Sequence, residues 1–360
     1  MPESMTARRQ KVTQLLAAHD LDVLVLHELN TIRYLCGFTG SDGLLVAGRE
    51  QTVFLTDSRY TVQAGEQVCA DRVEEYRVKI DGLLGLLREF GVRRIGFEAD
   101  LAFGTVVKLQ EKGGAGWDWR PLDDELAALR LCKDEAEIAL MEQAAGLHVA
   151  AFAEVAELLR PGVEERAIAL RLEFALKNAG AEEKSFDFIV ASGVRGALPH
   201  GVASDRTLQD GELVTIDFGC RWQGYHSDET VTVAIGEPSG QLRRIHDIVR
   251  EAHDRALVAV RPGIPLHELD RIAREYIAAA GYGEYFGHGL GHGIGLAVHE
   301  APRLSPRSEL VAAPGMVFTI EPGVYLPGVG GVRIEDMVLV TDSGARLLTQ
   351  LPKECIDYTV

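Results

Sequence analysis

Two domains are predicted: an α/β domain over residues 1–127, and an α+β domain over residues 128–360 built by internal duplication. Three observations carry this prediction. Helical and strand-like segments alternate as far as Arg120, the pattern of a small α/β layer. A stretch rich in Gly, Asp, Trp and Pro over residues 113–125 reads as a boundary. Finally, an Arg-Pro-Gly turn leading into a helical run that ends in Ala-Gly occurs twice. Pro161 and Pro262 lie 101 residues apart, as do Gly180 and Gly281.

Taken in order, residues 6–18 have the apolar spacing of an amphipathic helix, and 22–27 (Asp-Val-Leu-Val-Leu-His) read as a strand. Strands are expected again at 43–47 and 52–56, joined by a short Gly-Arg-Glu-Gln turn, and at 94–98. Past the boundary, Asp134 and Glu137 have capping-box spacing and open a long helix that runs toward Arg160-Pro161-Gly162. Two repeats follow, each a helix and then strands. Gly211-Glu-Leu-Val-Thr-Ile-Asp217-Phe-Gly in the first aligns with Gly315-Met-Val-Phe-Thr-Ile-Glu321-Pro-Gly in the second, at an offset of 104.

The repeats place acids at matching positions. Asp217 and Asp228 form one pair, Glu321 and Glu335 the other, and His292 lies between them in the sequence. If the first hairpin turns around Trp222-Gln223-Gly224 and the second around Gly328, the two members of each pair should stand opposite one another on one sheet face. Alone, any one of these acids reads as a strand-end carboxylate or a salt-bridge partner. Four of them in apolar, strand-like surroundings would be costly to bury without positive charge among them, and a pair of divalent cations answers that need. The segment Gly287-His288-Gly-Leu-Gly-His292-Gly-Ile-Gly295 does not fit G-x-G-x-x-G, and His299-Glu300 does not form H-E-x-x-H because position 303 is Arg. Glycines flanking each His suit a crowded wall where backbones approach closely.

Composition narrows the classes further. With 360 residues, 46% of them apolar, the chain can bury sizeable cores. Its 37 basic and 54 acidic residues, a net charge of −17, argue against nucleic acid or an anionic membrane as the main partner. Cys36, Cys69, Cys132, Cys220 and Cys355 form no Cys-x-x-Cys pair, which fits reduced thiols, and a cytoplasmic location is expected. No signal peptide and no membrane-length apolar run are read from the sequence.

These motifs resemble those of the Xaa-Pro peptidases, aminopeptidase P and prolidase, of the pita-bread metallopeptidases. In the second domain the likeness rests on Ile-Asp217-Phe-Gly, Ser-Asp228-x-Thr, the His288 to His299-Glu run, Glu321-Pro-Gly-x-Tyr325 and Arg333-Ile-Glu335-Asp. In the first it rests on Tyr34-Leu-x-Gly-Phe-Thr-Gly-Ser and Thr56-Asp-Ser-Arg59-Tyr. The resemblance implies a creatinase/prolidase-type N-terminal domain and a pita-bread catalytic domain with a pseudo-two-fold. It implies that Asp217 binds one metal, His292 and Glu321 the other, and that Asp228 and Glu335 bridge them. His288 and His299 would position substrate and handle protons, and His200, Arg303, Tyr325 and Arg333 would contact or support substrate. Glu321 is the candidate to take a proton from the attacking water, and His299 precedes His288 as the oxyanion partner. Two divalent ions are expected, Mn²⁺ ahead of Co²⁺ or Zn²⁺ because the ligands are oxygen-rich with a single imidazole. Proline-containing peptides are the expected substrates, and a homodimer the expected assembly.

Within the resemblance, the first-domain motifs incline the reading toward an Xaa-Pro aminopeptidase, with an Xaa-Pro dipeptidase as the alternative. A methionine aminopeptidase would lack this first domain, a creatinase-like hydrolase would lack the ligand set, and a non-catalytic peptide-binding relative would have lost ligands. One departure stands out: Val231 occupies a position where relatives usually carry Arg, so hydrogen bonding behind the site is expected to differ.

Overall fold

The computed structural model describes residues 3–114 and 116–359. The chain divides into two units, Met1–Arg130 and Leu131–Val360, whereas the composition places the edge at 127.

The first unit is a six-stranded mixed sheet with helices. In chain order its strands are β1 (Val23–Leu26), β2 (Leu44–Gly48), β3 (Thr52–Thr56), β4 (Arg72–Glu75), β5 (Arg94–Glu98) and β6 (Asp118–Leu122), arranged β4-β3-β2-β1-β5-β6. Its helices are α1 (Glu3–Ala18), α2 (Leu29–Cys36), α3 (Thr61–Gln67), α4 (Lys79–Phe90), α5 (Phe103–Gly113) and α6 (Asp124–Ala127). The central strands β1 and β2 are apolar runs, and β3 holds one between two threonines, because both faces are covered, and every residue in them is buried. Helix α4 turns Leu83, Leu84, Leu86 and Leu87 into the same core as Val25, Val46 and Ile95. Strand β6 falls inside the stretch that reads as a boundary. It is an edge strand, partly exposed and carrying Pro121, so it lacks the apolar run that marks a central strand.

The second unit opens with α7 (Glu135–Ala156), and the expected capping box is formed. Asp134 accepts from Glu137 N at 2.9 Å, and Glu137 accepts from Asp134 N at 3.0 Å. By length and composition α7 could cross a bilayer. Its Ala144, Ala151, Phe152 and Val155 instead pack in the protein core, beside the fully buried His148. After α8 (Glu165–Asn178) come β7 (Glu183–Lys184), β8 (Ile189–Ser192), β9 (Glu212–Phe218), β10 (Cys220–Trp222), β11 (Tyr225–His226) and β12 (Glu229–Ile235). The second half supplies α9 (Gly240–Ala259), α10 (Leu266–Ala279), β13 (Gly291–Gly293), β14 (Glu300–Leu304), β15 (Val317–Ile320), β16 (Gly323–Leu326), β17 (Gly330–Arg333), β18 (Asp336–Thr341) and β19 (Gly344–Leu347). Helices α7 and α8 pack as a pair, as do α9 and α10. The first pair covers the sheet β12-β9-β8, while α9 lies against β15 and β19 of the sheet β14-β13-β15-β18-β19. The duplicated halves meet where Thr230 bridges Glu335.

The hairpin registers amend one expectation. Gln223 and Gly224, both with positive φ (45° and 83°), form the turn between β10 and β11, so Trp222 pairs with Tyr225. The centre therefore lies later than the Asp217–Asp228 midpoint, and Asp217 pairs with Thr230, not with Asp228. A two-residue slip keeps the same face, so Asp217 and Asp228 are diagonal neighbours on one side of the sheet. In the second half, Ile320 pairs with Asp336 and Gly323 with Arg333. These pairs bracket Glu321 and Glu335 in one register and set them opposite each other, as expected. Val231 points the other way and is buried in the apolar cluster with Phe218 and Val214. All five cysteines are free thiols.

Candidate active site

The face shared by Asp217, Asp228 and Thr230 meets the Glu321–Glu335 end of the second hairpin at one cleft of about 790 Å³. Asp217, Asp228, His292, Glu321 and Glu335 all line it, together with His200, His288, His299, Arg303, Tyr325 and Arg333. Every metal-ligand, catalytic and substrate-contact candidate named in the sequence thus opens on a single cavity, within the size range of small-ligand sites.

His292 reaches this place because β13 is squeezed between β14 and β15. A Cβ on Gly291 would sit 2.0 Å from Thr319 O, and one on Gly293 would sit 2.2 Å from Ala301 O. Only glycine lets the strands close on either side of the imidazole. His292 Nδ1 lies 3.1 Å from its neighbour's carbonyl, Gly293 O, which holds the proton there and turns Nε2 toward the acids. Nε2 lies 3.4 Å from Glu321 Oε1 and 3.7 Å from Asp228 Oδ2. Burial, aided by nearby His299, depresses the His292 pKa to about 4, so the ring is a neutral donor at physiological pH.

The acids point to positive charge that the protein itself does not supply in full. Donor atoms of Asp228, His292 and Glu335 all lie within 4.8 Å of one another. Burial, with Glu335, Asp217 and Glu321 close by, raises the Asp228 pKa far above the carboxylate range. Burial, with Glu321 and Asp217 close by, does the same to Glu335, and burial pushes Glu321 up to about 7. Left to themselves, these groups would hold protons. Divalent cations would let them ionise together. Asp217 Oδ1 and Asp228 Oδ1 are buried without a hydrogen-bond partner among the described residues, so lone pairs remain for a metal. The residues present therefore fit a divalent metal centre.

The remaining side chains form a connected frame. Arg333, only 3% exposed, donates to Asp217 Oδ2 at 2.5 Å, to Tyr325 Oη and Pro199 O at 3.1 Å, and to Thr230 Oγ1 at 3.3 Å. With its donors spent on the protein, it orients Asp217 and Tyr325 and has little left for substrate. Tyr325 Oη lies 2.9 Å from His288 Nε2, whose Nδ1 faces Gly289 O at 2.8 Å. Burial lowers His288 to about 4, so this imidazole is neutral and accepts from the tyrosine. His299 stands edge-on to His292 with ring centroids 4.1 Å apart, and burial lowers its pKa as well. His200 and Arg303 are exposed in the cleft.

Three residues received no role of their own from the sequence. Thr230 donates to Glu335 Oε2 at 2.6 Å and couples the halves, but a threonine on a strand gives no signal of this. Glu229 and Asp336, each directly after an acid of the site, are buried on the opposite side of their strands. Their signal was present: the acid is doubled at the same place in both repeats.

Comparison with known proteins follows the two units. Residues 139–342 match metallopeptidase family M24, and residues 8–132 match the creatinase/prolidase N-terminal domain. A protein of Pyrococcus horikoshii named Xaa-Pro dipeptidase is 38% identical over 354 residues, covering 98% of this chain and 99% of its own. A solved structure titled Xaa-Pro dipeptidase from Bacillus anthracis has a TM-score of 0.95 at 40% identity, covering 98% of this chain and 99% of that one. One titled X-Pro aminopeptidase from Thermotoga maritima has a TM-score of 0.88 at 38% identity, covering 97% and 99%.

Proposed function

Because this chain belongs to metallopeptidase family M24, and is on that ground a metal-dependent hydrolase of peptide bonds, we propose that it is an Xaa-Pro dipeptidase. The proposed centre is a pair of divalent ions, Mn²⁺ first, with Asp217 on one, His292 and Glu321 on the other, and Asp228 and Glu335 shared. Four carboxylates with a single imidazole are a hard, oxygen-rich set, which supports Mn²⁺ over a typical zinc site.

The observation that carries the dipeptide reading is Arg303. It lies in the same cleft as the five donors, it is exposed, and among the described residues no side chain forms an ion pair with it. Its guanidinium is free to take the C-terminal carboxylate that a dipeptide presents one residue beyond the scissile bond. The aminopeptidase reading, toward which the first-domain motifs incline, has the Thermotoga maritima structure at 38% identity in its favour, while the Pyrococcus horikoshii relative and the Bacillus anthracis structure, at 38% and 40%, carry the dipeptidase name.

Bound divalent ions would supply a water of near-neutral pKa and polarise the scissile carbonyl. The protein's part is positional and protolytic. Glu321 accepts the water's proton and can return it to the proline nitrogen, which must be protonated to leave. His299 faces the developing oxyanion, while His288, held by Tyr325, which Arg333 in turn fixes, walls the proline side.

The test is hydrolysis of Ala-Pro, Ala-Pro-Ala and Ala-Ala by Mn²⁺-loaded protein. Ala-Pro should lead Ala-Pro-Ala in kcat/KM by roughly tenfold, the worth of one charged contact of about 1.4 kcal/mol. The reverse order would make it an aminopeptidase, and equal turnover of Ala-Ala would remove the proline requirement.

A further inference from the structure

Behind the metal centre lies a second charged layer that the reaction does not use. Glu229 follows Asp228, and Asp336 follows Glu335, so both point from their strands away from the cleft. Their side chains are 0% and 3% exposed. Each meets a histidine from the helix of its own half: His148 Nδ1 lies 2.8 Å from Glu229 Oε2, and His253 Nε2 lies 3.2 Å from Asp336 Oδ2. The arrangement repeats the duplication, one acid and one helical imidazole per half. A single lysine breaks the symmetry. Lys353 Nζ sits 2.7 Å from Glu229 Oε1 and 3.1 Å from Asp336 Oδ1, and so touches both halves.

Lys353 is brought there by the segment after β19, which stitches the two sheets together. Leu348 N donates to Met337 O, and Thr349 Oγ1 donates to Asp336 Oδ1 at 2.6 Å, on the β18 side. Leu351 N then donates to Glu229 Oε1 at 2.9 Å, and Ala234 N to Ile356 O at 2.9 Å, on the β12 side. The segment thus enters on one half and leaves on the other, with Lys353 at the crossing.

We propose that Lys353 is a positioning residue for the metal centre. Its ammonium, clamped between Glu229 and Asp336, ties the strand end bearing Asp228 to the one bearing Glu335 and holds those carboxylates at the spacing a metal pair needs. This rests on Asp228 and Glu335 being the shared ligands. Because each clamped acid is the next residue along a rigid strand, a shift of Glu229 away from Asp336 moves Asp228 away from Glu335. Losing the tether should affect the second metal more than the first, since a single ion can be kept by one half with His292.

The test compares Lys353→Met, Lys353→Arg and a neutral triple variant, Lys353→Met with Glu229→Gln and Asp336→Asn, against the parent full-length chain. Stepwise Mn²⁺ affinity by calorimetry, the exchange-coupled Mn pair by electron paramagnetic resonance, and kcat and KM for Ala-Pro are read together. In Lys353→Met the second equivalent should weaken by about 10–100-fold, the usual cost of losing a group that orients a ligand. The coupled signal and kcat should fall with it, while KM stays near that of the parent, and Lys353→Arg should restore all three. If Lys353→Met does not fold, the triple variant, in which His148 and His253 can give up their protons so that no unpaired charge is buried, carries the same expectation. Parent-like affinity for both equivalents in whichever variant folds would overturn the proposal. A parent chain that binds no Mn²⁺, or leaves Ala-Pro intact, would overturn the dipeptidase reading instead.

Discussion

His246 gives the protein a predictable acid sensitivity away from the metal centre. It is 1% exposed on α9, donates through Nε2 to Thr232 O at 3.1 Å, and its Nδ1 has no hydrogen-bond partner among the described residues. Burial lowers its pKa from 6.5 to about 4, so the folded protein keeps the ring neutral while the unfolded chain protonates it. The unfolded state therefore binds the extra proton, and stability falls as pH drops from the unfolded value toward the folded one. At pH 5 the linkage amounts to about 2 kcal/mol relative to pH 7.5, approaching roughly 3 kcal/mol below the folded pKa. His246→Gln keeps a donor for Thr232 O and removes the titration. Urea unfolding of metal-stripped protein at pH 7.5 and pH 5 should show the variant losing about 2 kcal/mol less than the parent over that interval. A constant offset between the two proteins is expected and is not diagnostic. Equal losses in parent and variant would refute the reasoning, because His246 would then be titrating alike in both states.

Other expectations follow from the cleft. Asp228→Asn or Glu335→Gln should abolish Ala-Pro hydrolysis and lower the Mn²⁺ content measured by elemental analysis, since each removes a charge shared by both ions. His299→Ala should lower kcat by about 10²–10⁴-fold, the range of a positioned acid or base, with Mn²⁺ content near that of the parent. An emptied site would instead make His299 a ligand. Arg303→Met should raise KM for Ala-Pro while leaving Ala-Pro-Ala nearly unchanged, and an equal effect on both peptides would remove its carboxylate role.

Much of this architecture was legible in the sequence because burial on both faces leaves a strong trace. The segments at 52–56 and 94–98 coincide with β3 and β5, where the apolar Val53, Phe54, Leu55, Ile95 and Phe97 are buried. Strand β6 left no such trace, since an edge strand such as Asp118–Leu122 can stay polar and hold a proline. The acids of the site could be found because duplication repeats them, and one acid's ambiguity disappears when four share equivalent positions. Their exact pairing could not, because it depends on which two residues take positive φ in the turn, and Gln223 is an uncommon choice. Arg333 could be placed near the site but not given its partners, since those come from β9, β12, β16 and the Pro199 loop. Lys353 was invisible for a similar reason: it lies 124 residues from Glu229, and a lone lysine near a chain end carries no pattern.

The central claim is that acids from two duplicated hairpins, with His292, hold a pair of divalent ions on which peptide hydrolysis depends. Its most direct test is a Mn²⁺ titration of chelator-stripped protein, following heat of binding and Ala-Pro hydrolysis in the same samples. Activity near zero without metal, binding that saturates at about two equivalents per chain, and hydrolysis that rises to its plateau with the second equivalent are the predicted results for a two-metal site. Full Ala-Pro hydrolysis in the stripped protein, or saturation of both signals at a single equivalent, would contradict it.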